Sequence, residues 1–166
     1  PIRQFSVPAF PEEQVAAIAF TSGSTAQPTP HRKTWGALAR GATAEAERFE
    51  LHLGGRATLV GTVPAQHMYG LESTVLMALR GGLALHAGRP FYPADVAAAL
   101  AEIPGGRVLL TSPVHLRALL NEDVKLPQLR LIVCATAPLS PEMAALAEAR
   151  YAAPLHEVYG FTEAGM

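Results

Sequence analysis

Two stretches of this 166-residue chain combine residue types that handle charged oxygen. The first, Thr21-Ser22-Gly23-Ser24-Thr25-Ala26-Gln27-Pro28, sets four hydroxyls around one glycine directly after an apolar run. Hydroxyl donors and backbone amides at a glycine can wrap phosphate oxygens. The same composition is common in loops that bind nothing. It is not a Walker loop, because no Gly-Lys-Ser/Thr follows Gly23 at the needed spacing, and a Gly-x-Gly-x-x-Gly fingerprint is missing. The second stretch is Tyr159-Gly160-Phe161-Thr162-Glu163. Its ring can stack on a nucleobase, its threonine can bind a phosphate, and its carboxylate can hold Mg²⁺, which takes few protein carboxylates and completes its shell with substrate phosphates. The bland alternative is a strand end with a core tyrosine and a solvated glutamate.

Chemistry of this kind needs elements that bring distant loops together. Short apolar, β-branched runs predict strands over 15–20, 57–62, 83–86, 107–111, 130–134 and 155–159. Helical spacing fills the gaps at 34–50, 69–80, 93–103, 113–120 and 141–150. In the first of these Trp35, Leu38, Ala42 and Phe49 share one stripe, with Arg40, Glu45, Glu47 and Arg48 mostly off it. Gly81-Gly82 stops the second helix, and Pro93, Pro113 and Pro141 stand where a first helical residue belongs. Ser140 reads as an N-cap. The alternation predicts an α/β fold, a largely parallel sheet flanked by helices and joined by right-handed crossovers. Ligands bind such sheets at the carboxyl ends of strands, which points to the loops after Phe20, Thr62 and Tyr159. Residues 1–14, rich in proline and polar groups, read as an extended arm.

Composition narrows the functions. An apolar fraction of 49% against 16% charged residues supplies a sizeable core. The formal charge of −1 leaves no electrostatic footprint for nucleic acid. No apolar run approaches the roughly 20 residues that span a bilayer, and residues 1–20 lack a secretory pattern. A cytoplasmic location is the natural expectation. Cys134, the lone cysteine, lies in the run Leu131-Ile132-Val133-Cys134-Ala135 and reads as a packed, inert thiol.

In this order, the two loops resemble those of the adenylate-forming superfamily: acyl-CoA synthetases, aryl-acid ligases, peptide-synthetase adenylation domains and luciferases. That family's phosphate loop looks like Thr-Ser-Gly-Ser/Thr-Thr-Gly-x-Pro-Lys, and its later motif like Tyr-Gly-x-Thr-Glu. Between them, Pro64-Ala65-Gln66-His67-Met68-Tyr69-Gly70 is similar to the family's Pro-x-x-His-x-x-Gly, and Thr136-Ala137-Pro138-Leu139-Ser140 to its Gly-Ala-Pro-Leu-Ser. The resemblance covers about residues 15–165. It implies the large N-terminal domain of an enzyme that uses ATP and Mg²⁺ to activate a carboxylic acid, aromatic or fatty, and passes it to CoA or the pantetheine of an acyl carrier protein.

The resemblance also assigns roles. Thr21, Ser22, Gly23, Ser24 and Thr25 would wrap the β- and γ-phosphates. Tyr159, with Gly160, would receive the adenine, and the backbone at Ala135, Thr136 and Ala137 would line the adenosine. Thr162 would bond the α-phosphate, Glu163 would hold Mg²⁺, and His67 would sit near the acyl carboxylate. Met68, Tyr69 and Leu71 would form an apolar wall. His31, His52, His86, His115 and His156 read as surface or structural. The run Pro30-His31-Arg32-Lys33-Thr34-Trp35 resembles aryl-acid ligases of bacterial pigment pathways.

Two residues depart from the pattern. Ala26 stands for a glycine and Thr29 for a lysine that would face pyrophosphate; His31, Arg32 and Lys33 could supply the charge or could begin a solvated helix. The family's ribose-binding aspartate and mobile C-terminal domain with its catalytic lysine lie beyond Glu163, so residues 1–166 are expected to be a partial nucleotide-binding core that does not complete catalysis alone. A degenerate nucleotide-binding or interaction module is the alternative. A serine hydrolase is disfavoured by the lack of Gly-x-Ser-x-Gly.

Overall fold

The structure, a computed structural model, describes residues 9–21, 28–51 and 56–162. Strands β1 (Val15–Thr21) and β2 (Thr29–Thr34) pair antiparallel as a two-stranded ribbon. Helix α1 (Trp35–Arg48) follows at once, capped by Thr34 Oγ1, which accepts from the Ala37 amide. Then come β3 (Thr58–Gly61), α2 (Met68–Gly70), a π-helical segment (Leu71–Leu76), α3 (Met77–Gly81) and β4 (Ala84–Leu85). The remaining elements are α4 (Pro93–Ala101), β5 (Arg107–Thr111), α5 (Pro113–Asn121), β6 (Leu131–Cys134), α6 (Pro141–Tyr151) and β7 (Leu155–Glu157).

Strands β3 to β7 form one parallel sheet in the order β4-β3-β5-β6-β7. Alternate residues of each strand enter opposite cores, as the pleat requires. Val60, Leu109, Ile132 and Cys134 pack on Val96 and Leu100 of α4, Leu116 and Leu119 of α5, and Ala147 and Tyr151 of α6. Leu59, Val108, Leu110, Leu131 and Val133 face the other way, onto Ala46 of α1, Tyr69 and Met77. A third cluster joins Leu38, Ala42, Met68 and Leu76 beneath Ala17 and Ala19 of the ribbon.

The prolines and the cap fall as expected. Pro93, Pro113 and Pro141 open their helices, and Ser140 Oγ accepts from the Met143 amide at 3.2 Å. The helix expected over 69–80 runs from Met68 to Gly81 but widens into a π turn at its centre, where the Thr74 hydroxyl bonds back to the Gly70 carbonyl. Such back-bonding bends helices, and π turns cluster at functional positions.

Two expectations are corrected. The strand at 15–20 is not in the parallel sheet, because its partner begins only eight positions later at Thr29, and a parallel pairing needs a longer crossover. The basic run at 31–33 is therefore part of β2 rather than a helix start. Pro30 is tolerated there because the ribbon leaves each strand one unpaired edge. Of the expected extended arm, the described part turns instead: the Gln14 amide donates to Pro11 O at 3.1 Å, and Phe10 meets the Trp35 ring edge-on at 6.0 Å.

Cys134 is fully buried, and that burial, with the Glu157 charge adding to it, pushes the thiol up to about 12. It should therefore resist iodoacetamide at pH 8 in the native protein and react only on unfolding. Mass spectrometry showing rapid native alkylation would contradict the packed-thiol reading.

Candidate functional site

Four separate chain segments end around one cavity of about 560 Å³. The ribbon contributes Ile18, Ala19, Phe20 and Thr21; the start of the second helical run contributes Gln66, His67, Met68 and Tyr69; the ends beyond β6 and β7 contribute Thr136, Gly160, Phe161 and Thr162. The volume lies in the range of small-molecule sites. Every loop singled out from the sequence reaches it.

The geometry at His67 follows from the local sequence. His67 is the N-cap of α2, and its Nδ1 accepts the Tyr69 amide at 3.2 Å. With Nδ1 accepting, Nε2 is the ring's donor toward a ligand oxygen. Tyr69, 1% exposed, donates its hydroxyl to Val133 O at 3.0 Å and so pins this helix start to β6. Gly70 explains the spacing Pro-x-x-His-x-x-Gly: a Cβ there would stand 2.2 Å from the Pro64 carbonyl oxygen. Only glycine lets the helix pass so close to the chain that delivers His67.

Beyond β6, Ala135 is fully buried while Thr136 and Ala137 are exposed. Thr136 has φ 88°, in the left-handed region that a β-branched residue rarely enters. The residue therefore holds strain at the cavity edge, a state that persists only where its surroundings impose it. The Leu139 amide, three residues on, is gripped by Glu157 Oε1 at 3.0 Å, which fixes this loop against β7.

Tyr159 does not line the large cavity. Its ring is 87% exposed and borders a neighbouring cavity of about 390 Å³, while its centroid lies 6.3 Å from that of Phe161, which does face the large one. The exposure rules out core packing. Ser22, Gly23, Ser24 and Thr25 of the hydroxyl loop, and the carboxylate Glu163, lie outside the described residues. Their flanks, Thr21 and Thr162, stand together at the cavity. Among the described residues no three His, Cys, Asp or Glu side chains gather as a metal site. The polar side chains lining the cavity are hydroxyls, the Gln66 amide and one imidazole; the hydroxyl and amide oxygens suit a hard cation held chiefly by phosphate oxygens.

Of the apolar wall expected at Met68, Tyr69 and Leu71, the first two line the cavity, whereas Leu71 packs beneath the ribbon with Leu38 and Ala42. Sequence reasoning missed Gln66 and Phe161, although Phe161 is an aromatic residue inside a motif already singled out. It also set His31 aside, yet the ribbon brings His31 Nε2 to 3.5 Å from Thr21 Oγ1, at the root of the hydroxyl loop. The other described histidines are structural. His86 pairs with Glu102 at 3.3 Å, His115 meets Ser112 Oγ at 2.7 Å with burial lowering its pKa, and His156 packs on Phe49. His52 lies outside the described residues.

The sequence matches the AMP-binding enzyme family over residues 3–166, and the chain belongs to that family. It is 31% identical over 164 residues to a 4-coumarate--CoA ligase of Rhodobacter capsulatus, covering 99% of this chain and 42% of that enzyme. A 4-coumarate--CoA ligase of Solanum tuberosum is 29% identical over 162 residues, covering 92% of this chain and 29% of the relative. The chain thus spans less than half the length of these curated relatives. Its fold is that of apo MatB from Rhodopseudomonas palustris, with a TM-score of 0.81, 21% identity and coverage of 98% and 32% of the two chains. An O-succinylbenzoate coenzyme A synthetase from Bacillus subtilis, solved with ATP and a magnesium ion, gives a TM-score of 0.77 at 20% identity, covering 96% of this chain and 33% of the other. The curated relatives are CoA ligases by name, and the parallel α/β sheet is the fold shared with these solved structures.

Two substitutions probe this geometry with opposite signs. Gly70→Ala forces a methyl into the Pro64 carbonyl and should destabilise by about 1–3 kcal/mol. Thr136→Gly relieves about 1–3 kcal/mol of backbone strain and adds back about 0.5–1 kcal/mol of unfolded-chain entropy, for a net gain of about 1 kcal/mol. Urea titrations of both variants check this; a Thr136→Gly protein less stable than wild type would mean that the surroundings pay nothing to hold that φ.

Proposed function

We propose that the protein containing this chain activates a carboxylic acid with ATP. The carboxylate attacks the α-phosphorus, forming an acyl-adenylate and releasing pyrophosphate; a thiol then takes the acyl group and AMP departs. The observation that carries this reading is the convergence of Thr21, His67, Thr136, Gly160 and Thr162 on one cavity. Thr21 leads into Ser22, Gly23, Ser24 and Thr25, which would cradle the β- and γ-phosphates. Thr162 would hold the α-phosphate, His67 Nε2 would orient the acid, and the Ala135, Thr136 and Ala137 backbone would border the adenosine. Tyr159 supplies an exposed ring for the adenine. Glu163 would carry Mg²⁺, which when bound offsets phosphate charge.

Ile18, Phe20, Met68 and Phe161 make the cavity partly apolar, in keeping with an aromatic or fatty acid. The names of the curated relatives favour a hydroxycinnamate-like aryl acid and CoA, with an acyl carrier protein as the alternative acceptor. No helix among the described residues is long and apolar enough to cross a membrane. A cytoplasmic enzyme belongs to the same reading. One observation favours the second reading, a binding module without catalysis: Thr29, in the place of the expected lysine, lies exposed on β2 and brings no cation to the phosphates.

Tyr159→Ala should weaken ATP binding by about 1–3 kcal/mol in calorimetry. In the full-length protein Glu163→Gln should reduce acid-dependent pyrophosphate release by orders of magnitude, with metal-free nucleotide binding nearly unchanged. Equal release with the same Mg²⁺ dependence would remove Glu163 from the metal site. No release by wild type across a panel of aryl and fatty acids would favour the binding module.

A further inference from the structure

Ionisable groups are packed where α1 crosses the π-helical segment. Glu45 of α1 has its Oε1 buried with no hydrogen-bond partner among the described residues. Across from it Ser73 is fully buried, its Oγ likewise unpartnered among the described residues, and Glu72 is 6% exposed. Ser73 Oγ lies close enough to favour the ionised carboxyl, yet no bond of normal geometry joins the two. Tyr69, at the start of the same helical run, also feels the Glu45 charge. On its other side Glu45 borders the 390 Å³ cavity, whose wall carries Arg48, His156, Glu157 and Tyr159.

Such a contact tolerates a neutral acid far better than an anion, because an anion there must be hydrated and sits against the Glu72 charge. Burial, then, pushes the Glu45 carboxyl up to about 7, with Glu72 adding and Ser73 partly offsetting. The other elements packed on α1 change little. Arg80 of α3 donates to Thr43 Oγ1 at 3.3 Å, β2 brings Arg32 and the buried Lys33, β1 brings no charge, and none of these cations is among the groups that perturb Glu45.

We propose that Glu45 is a proton-operated latch between α1 and the π-helical segment, closed when the acid is neutral and opened when it ionises. The fold makes this consequential, since His67 and Tyr69 begin the same helical run and line the large cavity. The latch is independent of the acid-activation reading: it concerns the wall of the cavity, whatever the cavity binds.

The sign follows from linkage. A carboxyl raised from 4.5 to about 7 in the closed state stabilises that state fully below pH 4.5 and loses the contribution as pH rises to about 7. Amide hydrogen exchange over Leu71–Leu76, corrected for intrinsic base catalysis, reads the opening between pH 5 and 8. In wild type, opening should rise by up to about tenfold per pH unit to pH 7 and then level off. Glu45→Gln, which mimics the neutral acid, should hold the low-pH value throughout. Parallel pH responses in the two proteins would overturn the latch. So would a carboxyl ¹³C titration placing Glu45 near 4.5 in wild type, a measurement that decides the matter even if the variant does not fold.

Discussion

The constraint from which the rest follows is that both faces of the β4-β3-β5-β6-β7 sheet are covered. Every residue of β6 is buried, and so are the four after Arg107 in β5, so these strands hold almost nothing polar along their length. The first buried hydroxyls appear where the strands end. Thr62 and Thr111, adjacent across β3 and β5, satisfy each other at 3.1 Å. Beyond that pair the chain is released from the apolar layers, and polar chemistry becomes affordable. The cavity lies at this carboxyl edge, where the chain leaves the apolar layers and an unpaired donor can be left for a ligand.

Position then depends on how the loops are tied to the sheet. The Tyr69 hydroxyl on Val133 O connects the residue two after His67 to the strand that leads into Thr136. A shift of that helix start would thus be felt on both sides of the cavity. Glu157 on the Leu139 amide closes the same circuit from β7, the strand that leads into Tyr159 and Thr162. These are single hydrogen bonds, each contributing only about 1 kcal/mol net, so their value is geometric rather than energetic. The stability that supports them comes from the apolar layers below.

Much of this was legible in the sequence, for identifiable reasons. The inner strands β3, β5 and β6 announce themselves because burial on both faces demands continuous apolar runs, and Pro93, Pro113, Pro141 and Ser140 mark helix starts by chemistry that acts within one turn. The ribbon was misjudged because Val15–Thr21 also reads as an apolar run, and what separates it from the sheet is its partner β2, a strand with a proline and three basic residues. Pairing is a tertiary fact that composition does not announce. The π turn was invisible for the same reason: it needs the Thr74 hydroxyl to reach the Gly70 carbonyl, which no periodicity encodes. His31 was set aside because its relevance rests on the cross-strand register that places it near Thr21. Glu45, likewise, is an ordinary off-stripe residue until the π-helical segment is laid against it.

The charge balance at the cavity limits what it can bind. Among the described residues that line it there is no lysine or arginine, and the stretch 22–27 contains none in its sequence. A triphosphate placed there would meet hydroxyls, amides, the imidazole of His67 and, at the base of the ribbon, that of His31. Dipoles of this kind stabilise spread charge only when held in place and shielded from water, which is what the rigid sheet edge and the Tyr69 and Glu157 ties provide. They do not neutralise several negative charges without a cation. For the proposed nucleotide, that burden falls on the accompanying metal more heavily than it would in a site with a lysine in the place of Thr29, and affinity for ATP should depend on Mg²⁺ more steeply than affinity for AMP.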